Sequence, residues 1–227
     1  MTYAEMQERI RLQLNEESEA FYDTGDIQSY IKSAIQRFLR KTKCGIVKQS
    51  ITYTNGTGTY SLTYKPLKAR GIVHVPSSDP RDRELPITEV AYEDWVRFTE
   101  TQRYDSLVCY VDNRAHTISV PNNLENGTLY VEYSIRASDS NVDTIINTEI
   151  IPEEYHEAIT DYALFLAYKK DRETVLANIS LQGYLAIERE ARQEVEAMEV
   201  QPINDDWSTE ITNPHRDEDN LQDLVEI

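Results

Sequence analysis

The apolar periodicity of this chain changes twice, and that constrains the fold more than any single motif. Ile27, Tyr30, Ile31, Ala34, Ile35, Phe38 and Leu39 recur at helical spacing. From Ile46 to Tyr64 the repeat is two, with Val47, Ile51, Tyr53 and then Tyr60, Leu62, Tyr64. After Pro152 the helical period returns in Tyr155, Ala158, Ile159, Tyr162, Ala163, Phe165 and Leu166. Neither helical set can bury its stripe alone, so the two ends of the chain must pair. The expected fold is α+β: a helical bundle from the N- and C-terminal helices, with a small antiparallel β-rich insertion and an extended C-terminal arm. The expected boundaries are 1–45 for an N-terminal helical pair, 46–150 for the insertion, 151–200 for the helices completing the bundle and 201–227 for the arm.

Within that frame, Tyr3, Met6, Ile10 and Leu14 predict a short amphipathic helix. A turn at Asp23-Thr24-Gly25 precedes a helix capped by Asp26, whose last turn carries Arg37, Arg40, Lys41 and Lys43 before Cys44-Gly45. Asn55-Gly-Thr-Gly between alternating segments predicts a hairpin. Further strands are expected at 71–75, 107–111, 117–120 and 128–135, in one largely antiparallel sheet. Thr88 can cap a short helix holding Val90, Ala91, Trp95, Val96 and Phe98, which would cover a face of that sheet. Residues 137–147 look like a polar linker. Beyond Lys170-Asp171-Arg172 a long helix runs to about Met198, with Gly183 able to kink or divide it. The cores of the paired helices are expected at Ile31, Ile35, Phe38, Ile159, Tyr162 and Leu166.

A chain of 227 residues is enough for one domain with a real core. No window approaches eighteen apolar residues, and the first ten residues lack a basic segment followed by an apolar run, so neither a membrane span nor a signal peptide is expected. Cys44 and Cys109 lie far apart without a CxxC neighbour, the pattern of free thiols in a reducing compartment. The net charge of −17 is concentrated beyond Pro152, where 19 acids face 6 bases. A duplex reader needs a basic face to displace counterions from phosphate, and this composition argues against sequence-specific nucleic-acid binding.

The best cluster for catalysis or metal binding is Glu153, His156, Glu157 and Asp161 after Pro152, with carboxylates on successive turns. His156 and Glu157 are adjacent and point apart, and no HExxH is present, so a solvated acidic face is the simpler reading. A metal-dependent hydrolase using those four is the alternative. His74 and His116 each look like strand residues. There is no GxSxG, Walker loop or dinucleotide glycine pattern. No catalytic residue, cofactor or metal site is assigned.

Residues 201–227 hold eight acids against Arg216 alone, interspersed with Trp207, Ile211, Leu221, Leu224 and Val225. Such a stretch cannot offset its own ordering entropy, yet pure solvated tails rarely carry these apolar groups. It can span about 90 Å when extended. The expected partner-binding residues are therefore Trp207, Ile211, Leu221, Leu224 and Val225, with Arg37, Arg40 and Lys41 as an electrostatic counterpart. Fifteen tyrosines suit a partly wet protein interface or an ordinary β-rich core.

The order of elements, and above all Ile151-Pro-Glu-Glu-Tyr-His-Glu-Ala-Ile-Thr-Asp-Tyr-Ala-Leu-Phe-Leu-Ala-Tyr leading into a long Glu/Arg-rich helix, resembles the head-to-tail adaptor (connector) proteins of tailed bacteriophages over residues 1 to about 200. That resemblance implies a non-enzymatic virion protein at the head-tail junction, made in the host cytoplasm. It implies a homo-oligomeric ring, typically a dodecamer, beneath the portal protein and above tail or nozzle proteins, with DNA passing through its lumen. Another tail component, such as a tail completion or baseplate subunit, is the nearest alternative.

Overall fold

The computed structural model describes residues 1–15, 21–56, 58–78, 84–101, 107–122, 124–138 and 141–200, with backbone alone at 100–101 and 199–200. The expected arm, with Trp207, Ile211, Leu221, Leu224 and Val225, lies outside the described residues.

Helix α1 spans Tyr3–Gln13, starting on a capping box in which Thr2 accepts from the Glu5 backbone and Glu5 reaches back. Helix α2 spans Thr24–Thr42 and buries Ile27, Ile31, Ala34, Ile35, Phe38, Leu39 and Thr42. Its cap is Asp23, whose side chain accepts from the Asp26 N–H at 2.7 Å, so the expected turn at 23–25 is already the start of the helix. At the far end the left-handed residue is Lys43, φ 57°. Gly45 is needed there for space, because a Cβ on it would lie 2.5 Å from a Leu39 methyl carbon.

The insertion is two sheets, not one. Strands β1 (Ile46–Tyr53), β2 (Thr59–Ser61), β3 (Pro66–Pro76), β4 (Leu85–Pro86), β5 (Thr88–Glu89), β6 (Val108–Asp112), β7 (Thr117–Ser119) and β8 (Gly127–Ile135) arrange as β1-β8-β3-β4 and β2-β7-β6-β5. All ladders are antiparallel except β5 on β6.

The expected 46–64 hairpin does not form. All 8 residues of β1 pair with the 9-residue β8, whereas β2 could offer only 3. The long partner wins because each paired residue satisfies backbone groups and a half-buried face together. Gly56, at φ 89°, does turn the chain, but the turn docks on the 122–126 loop: Gly56 N–H donates to the Asn122 carbonyl and Asn55 N–H to Asn126 Oδ1. The chain thus crosses from one sheet to the other.

Three further expectations shift. Thr88 sits in a strand, and the helix begins four residues later as α3 (Tyr92–Thr101). His116 lies in the turn before β7 with φ 57°, leaving only His74 in a strand. The segment expected as a linker contains α4 (Val142–Asn147), because Val142, Ile145 and Ile146 fall on one face and are buried.

A short 3-10 turn at Glu153–Tyr155 leads into α5 (His156–Lys170), followed after three residues by α6 (Thr174–Val200). Helix α6 is continuous through Gly183, whose role is close approach: a Cβ there would meet Asp161 Oδ2 at 2.2 Å. Helix α5 packs against α1, α2 and α6 and buries a small-residue set, Ala158, Ile159, Thr160, Ala163, Leu164 and Ala167. Ile31, Ile35, Phe38 and Ile159 are core as expected. Tyr162 and Leu166 are only half-buried, because the alanines occupy the side facing the closest helices. One apolar cluster runs from Met6 and Ile10 through α2 and α5 to Leu129, Val131 and Ile135 of β8 and on to Ile118. Tyr53 and Tyr22 close its edges by donating to the Pro121 and Ala167 carbonyls at 2.7 and 2.8 Å.

Candidate interaction surface

The half-buried face of α5 has a consequence at the surface. With Tyr162 and Leu166 turned away from the alanine seam, they form one wall of a groove whose other wall is α2. Ser33, Gln36, Arg37 and Arg40 come from α2, and Arg136 and Ala137 from the chain leaving β8. The groove encloses about 480 Å³. The backbone at Arg136 is held by its N–H, which donates to the Lys65 carbonyl at 2.8 Å.

Arg37 is the fixed point. Its guanidinium carbon lies 5.0 Å from the centre of the Tyr162 ring and 5.6 Å from that of Tyr184, rings that themselves pack at 4.8 Å. Its Nε is buried without a hydrogen-bond partner. Below it Phe38 packs on Tyr155 and Tyr184 at 5.8 and 6.2 Å. The Tyr155 hydroxyl donates to the Glu194 carboxylate. Burial, then the neighbouring Glu194, pushes the Tyr155 phenol up, and burial and Glu188 do the same to Tyr184. Both phenols therefore stay protonated and uncharged beneath the arginine.

Arg40 is exposed and lines the groove beside Arg37. Lys41 is exposed in the last turn of α2 but is not part of the lining. Arg37, Arg40 and Arg136 have no carboxylate within ion-pair distance among the described residues. Arg136 was not legible as part of this surface, since nothing in its local sequence ties it to a helix a hundred residues earlier.

The cluster considered for metal binding disperses. His156 is buried, with Nε2 2.9 Å from the Ile151 carbonyl. Glu153 pairs with the amino group of Met1, and Glu157 with Arg9 of α1. Asp161 faces Gly183, and burial followed by the charge of Glu157 raises its carboxyl to about 6, against a lowering by Arg9. The four have separate surroundings and do not converge on a shared point. Cys109 and Cys44 are both buried, and burial pushes their thiols up to about 12 and about 11, the opposite of an activated nucleophile.

A second surface lies at the α5–α6 turn. Val175, Leu176 and Ile179 of α6 are exposed, and Leu12 and Phe21 are exposed at the same end of the bundle. Tyr168 donates to the Gln13 carbonyl, and the Lys170 ammonium sits 5.4 Å from the Phe21 ring, which places the end of α1 and Phe21 against the end of α5.

With the fold and its surfaces placed, the comparison with known families is decisive: residues 1–213 match the SU10 adaptor protein family. The chain belongs to that family. No curated protein matches it. The SU10 adaptor family is a phage head-tail adaptor family, structural and not catalytic, and its members are virion components that work with portal and tail proteins. Among the described residues no helix is long and apolar enough to cross a membrane.

Proposed function

We propose that this SU10 adaptor family member assembles as a closed ring of identical subunits, a dodecamer, between the portal and the tail, with its C-terminal arm docking on a neighbouring subunit or on the portal. The observation that carries this beyond the family match is the uncovered apolar end of the bundle. Val175 and Ile179, 71% and 63% exposed, stand one helical turn apart at the start of α6, and Leu12 and Phe21 are exposed where α1 and the chain before α2 meet the end of α5. Large apolar side chains left exposed together at one end of a bundle favour a protein contact there. Closed homo-oligomers bury such surface repeatedly around a rotation axis. DNA crosses the lumen without specific binding, and a net charge of −17 per subunit keeps the wall repulsive to phosphate.

The test is light scattering and electron imaging of the purified full chain, alone and with portal particles. The expected particle is a ring of twelve copies of the 26.3 kDa chain, formed alone or on the portal. A chain that stays monomeric and unbound in the presence of portal particles overturns the reading. Val175→Asp with Ile179→Asp should abolish assembly while leaving the melting temperature unchanged. Filter binding with duplex DNA should show no sequence-dependent retention.

A further inference from the structure

We propose that the groove between α2 and α5 is the receptor for the acidic C-terminal segment, residues 201–227, of a neighbouring copy of this chain. The inference rests on the ring reading only in that the ring supplies the neighbour.

Charge is the first argument. In a chain of net charge −17, Arg37, Arg40 and Arg136 converge from two distant parts of the sequence on one cleft. Holding three like charges together costs folding free energy unless something answers them. Among the described residues none of the three makes an ion pair with a carboxylate, although the buried Glu188 of α6 acts on Arg37 from beyond ion-pair distance. Residues 201–227, with eight acids against one base, are the most acidic stretch of the protein.

Shape and chemistry are the second. Arg37 is already held against Tyr162 and Tyr184, so little side-chain freedom is lost when it takes a carboxylate. Arginine suits this because its planar fork matches a carboxylate in two-point geometry. Tyr162, Leu166 and Ala137 give the groove an apolar lining beside the cations. The segment alternates in the same way: Asp205 and Asp206 precede Trp207, and Glu210 precedes Ile211. An aromatic anchor in an apolar slot rimmed by charge pairs is the usual form of a peptide hot spot.

Reach is the third. Helices α5 and α6 are antiparallel, since Tyr162 packs on Tyr184 and Tyr155 reaches Glu194. From Tyr184, beside the groove, α6 runs on to Val200, which carries the chain about 24 Å away from it along the helix axis. Fully extended, 27 residues span about 90 Å, enough to cross to an adjacent subunit.

The groove is tested with a fluorescent peptide of residues 201–227 titrated with the full chain, read by anisotropy at low and physiological ionic strength. The expected result is saturable binding that weakens with salt and falls at least about tenfold in Arg40→Glu/Arg136→Glu. Both side chains are exposed, so that variant should melt with the parent, and Arg40→Lys/Arg136→Lys should retain most of the binding. Absence of saturable binding, equal binding by the charge-reversed variant, or displacement of the peptide by duplex DNA overturns the proposal. The source of the segment is tested by replacing Trp207 with a photo-crosslinking residue and mixing isotopically heavy and light full chains. Heavy-light crosslinks to residues 33–40 or 136–137 are expected, and crosslinks confined within single copies overturn it. Rings that persist in the charge-reversed variant with peptide binding unchanged defeat the groove and leave the ring reading intact. Peptide binding without any ring defeats the ring reading and leaves the groove.

Discussion

The helical bundle and the two sheets are built by different rules, and the same sequence is transparent in one and opaque in the other. In α2 every buried residue follows from its neighbours three and four positions away, and the pattern of Thr24–Thr42 is readable with no knowledge of the remaining chain. In the sheets the decisive partner is far off: β1 pairs with β8 and β2 with β7, although the intervening Asn55-Gly56 turn points each strand at the other. Local chemistry fixes where the chain turns. Pair length and face burial fix what it turns toward. Cooperative strand pairing across eighty residues is also the slower step to form, because loop closure comes before any ladder rewards it.

The largest effect should separate two residues that lie on equally clean stripes. Phe38 is fully buried between Tyr155 and Tyr184, and Phe38→Ala should cost about 3–5 kcal/mol in denaturant melts through the cavity it leaves. Leu166 sits in the groove wall, and Leu166→Ala should cost less than about 1 kcal/mol. Equal costs would mean that α5 turns its bulky face inward after all, and the groove would disappear with it.

Next comes the joint between the two regions. Gly45→Ala places a methyl 2.5 Å from Leu39 Cδ2 and 3.3 Å from an Ile135 side-chain carbon, so α2 must shift from β8 or Leu39 must leave its rotamer. The expected cost is about 2 kcal/mol, typical of overpacking. A neutral result would show that the bundle and sheets are joined loosely.

Why the bundle was legible and its surface was not follows from the same residues. Periodicity correctly placed Ile31, Ile35, Phe38 and Ile159 in the core, because helix burial is set by one stripe. It erred at Tyr162 and Leu166 because the apolar residues of α5 spread wider than one stripe, and only its neighbours decide which of them are innermost. Arg37 and Arg40 were recognisable as a basic helix end. Their union with Arg136 depends on where β8 delivers the chain, which no local pattern encodes. The isolated Gly183 invited a kink; only the facing Asp161 shows that it is a contact.

On the sheet side, Tyr53 holds the corner where the chain crosses over. Tyr53→Phe leaves the packing against Tyr60 and His74 but removes the hydroxyl that the buried Pro121 carbonyl accepts from. The expected loss is about 1 to 1.5 kcal/mol. Faster amide exchange should be confined to 53–60 and 120–127. Exchange spreading into α2 instead would mean that the regions unfold as one.

The smallest effect is a pH dependence belonging to the bundle. Asp161, half-buried against α6, has its carboxyl raised to about 6, first by burial and then by Glu157. The folded chain therefore holds this proton more tightly than the unfolded chain does. The contribution of Asp161 to stability falls as pH rises from the ordinary aspartate range near about 4 to about 6, and levels off above. Asp161→Asn removes the titration while keeping the shape against Gly183. It should stabilise the protein by about 1 kcal/mol above pH 6, a figure discounted from the full shift because the group is only partly shielded from water. At pH 4 the variant and parent should coincide. Denaturant midpoints between those two values decide it: a parallel offset at every pH would assign the gain to helix propensity, whereas a gap that opens only as the carboxyl ionises places the strain at the α5–α6 contact.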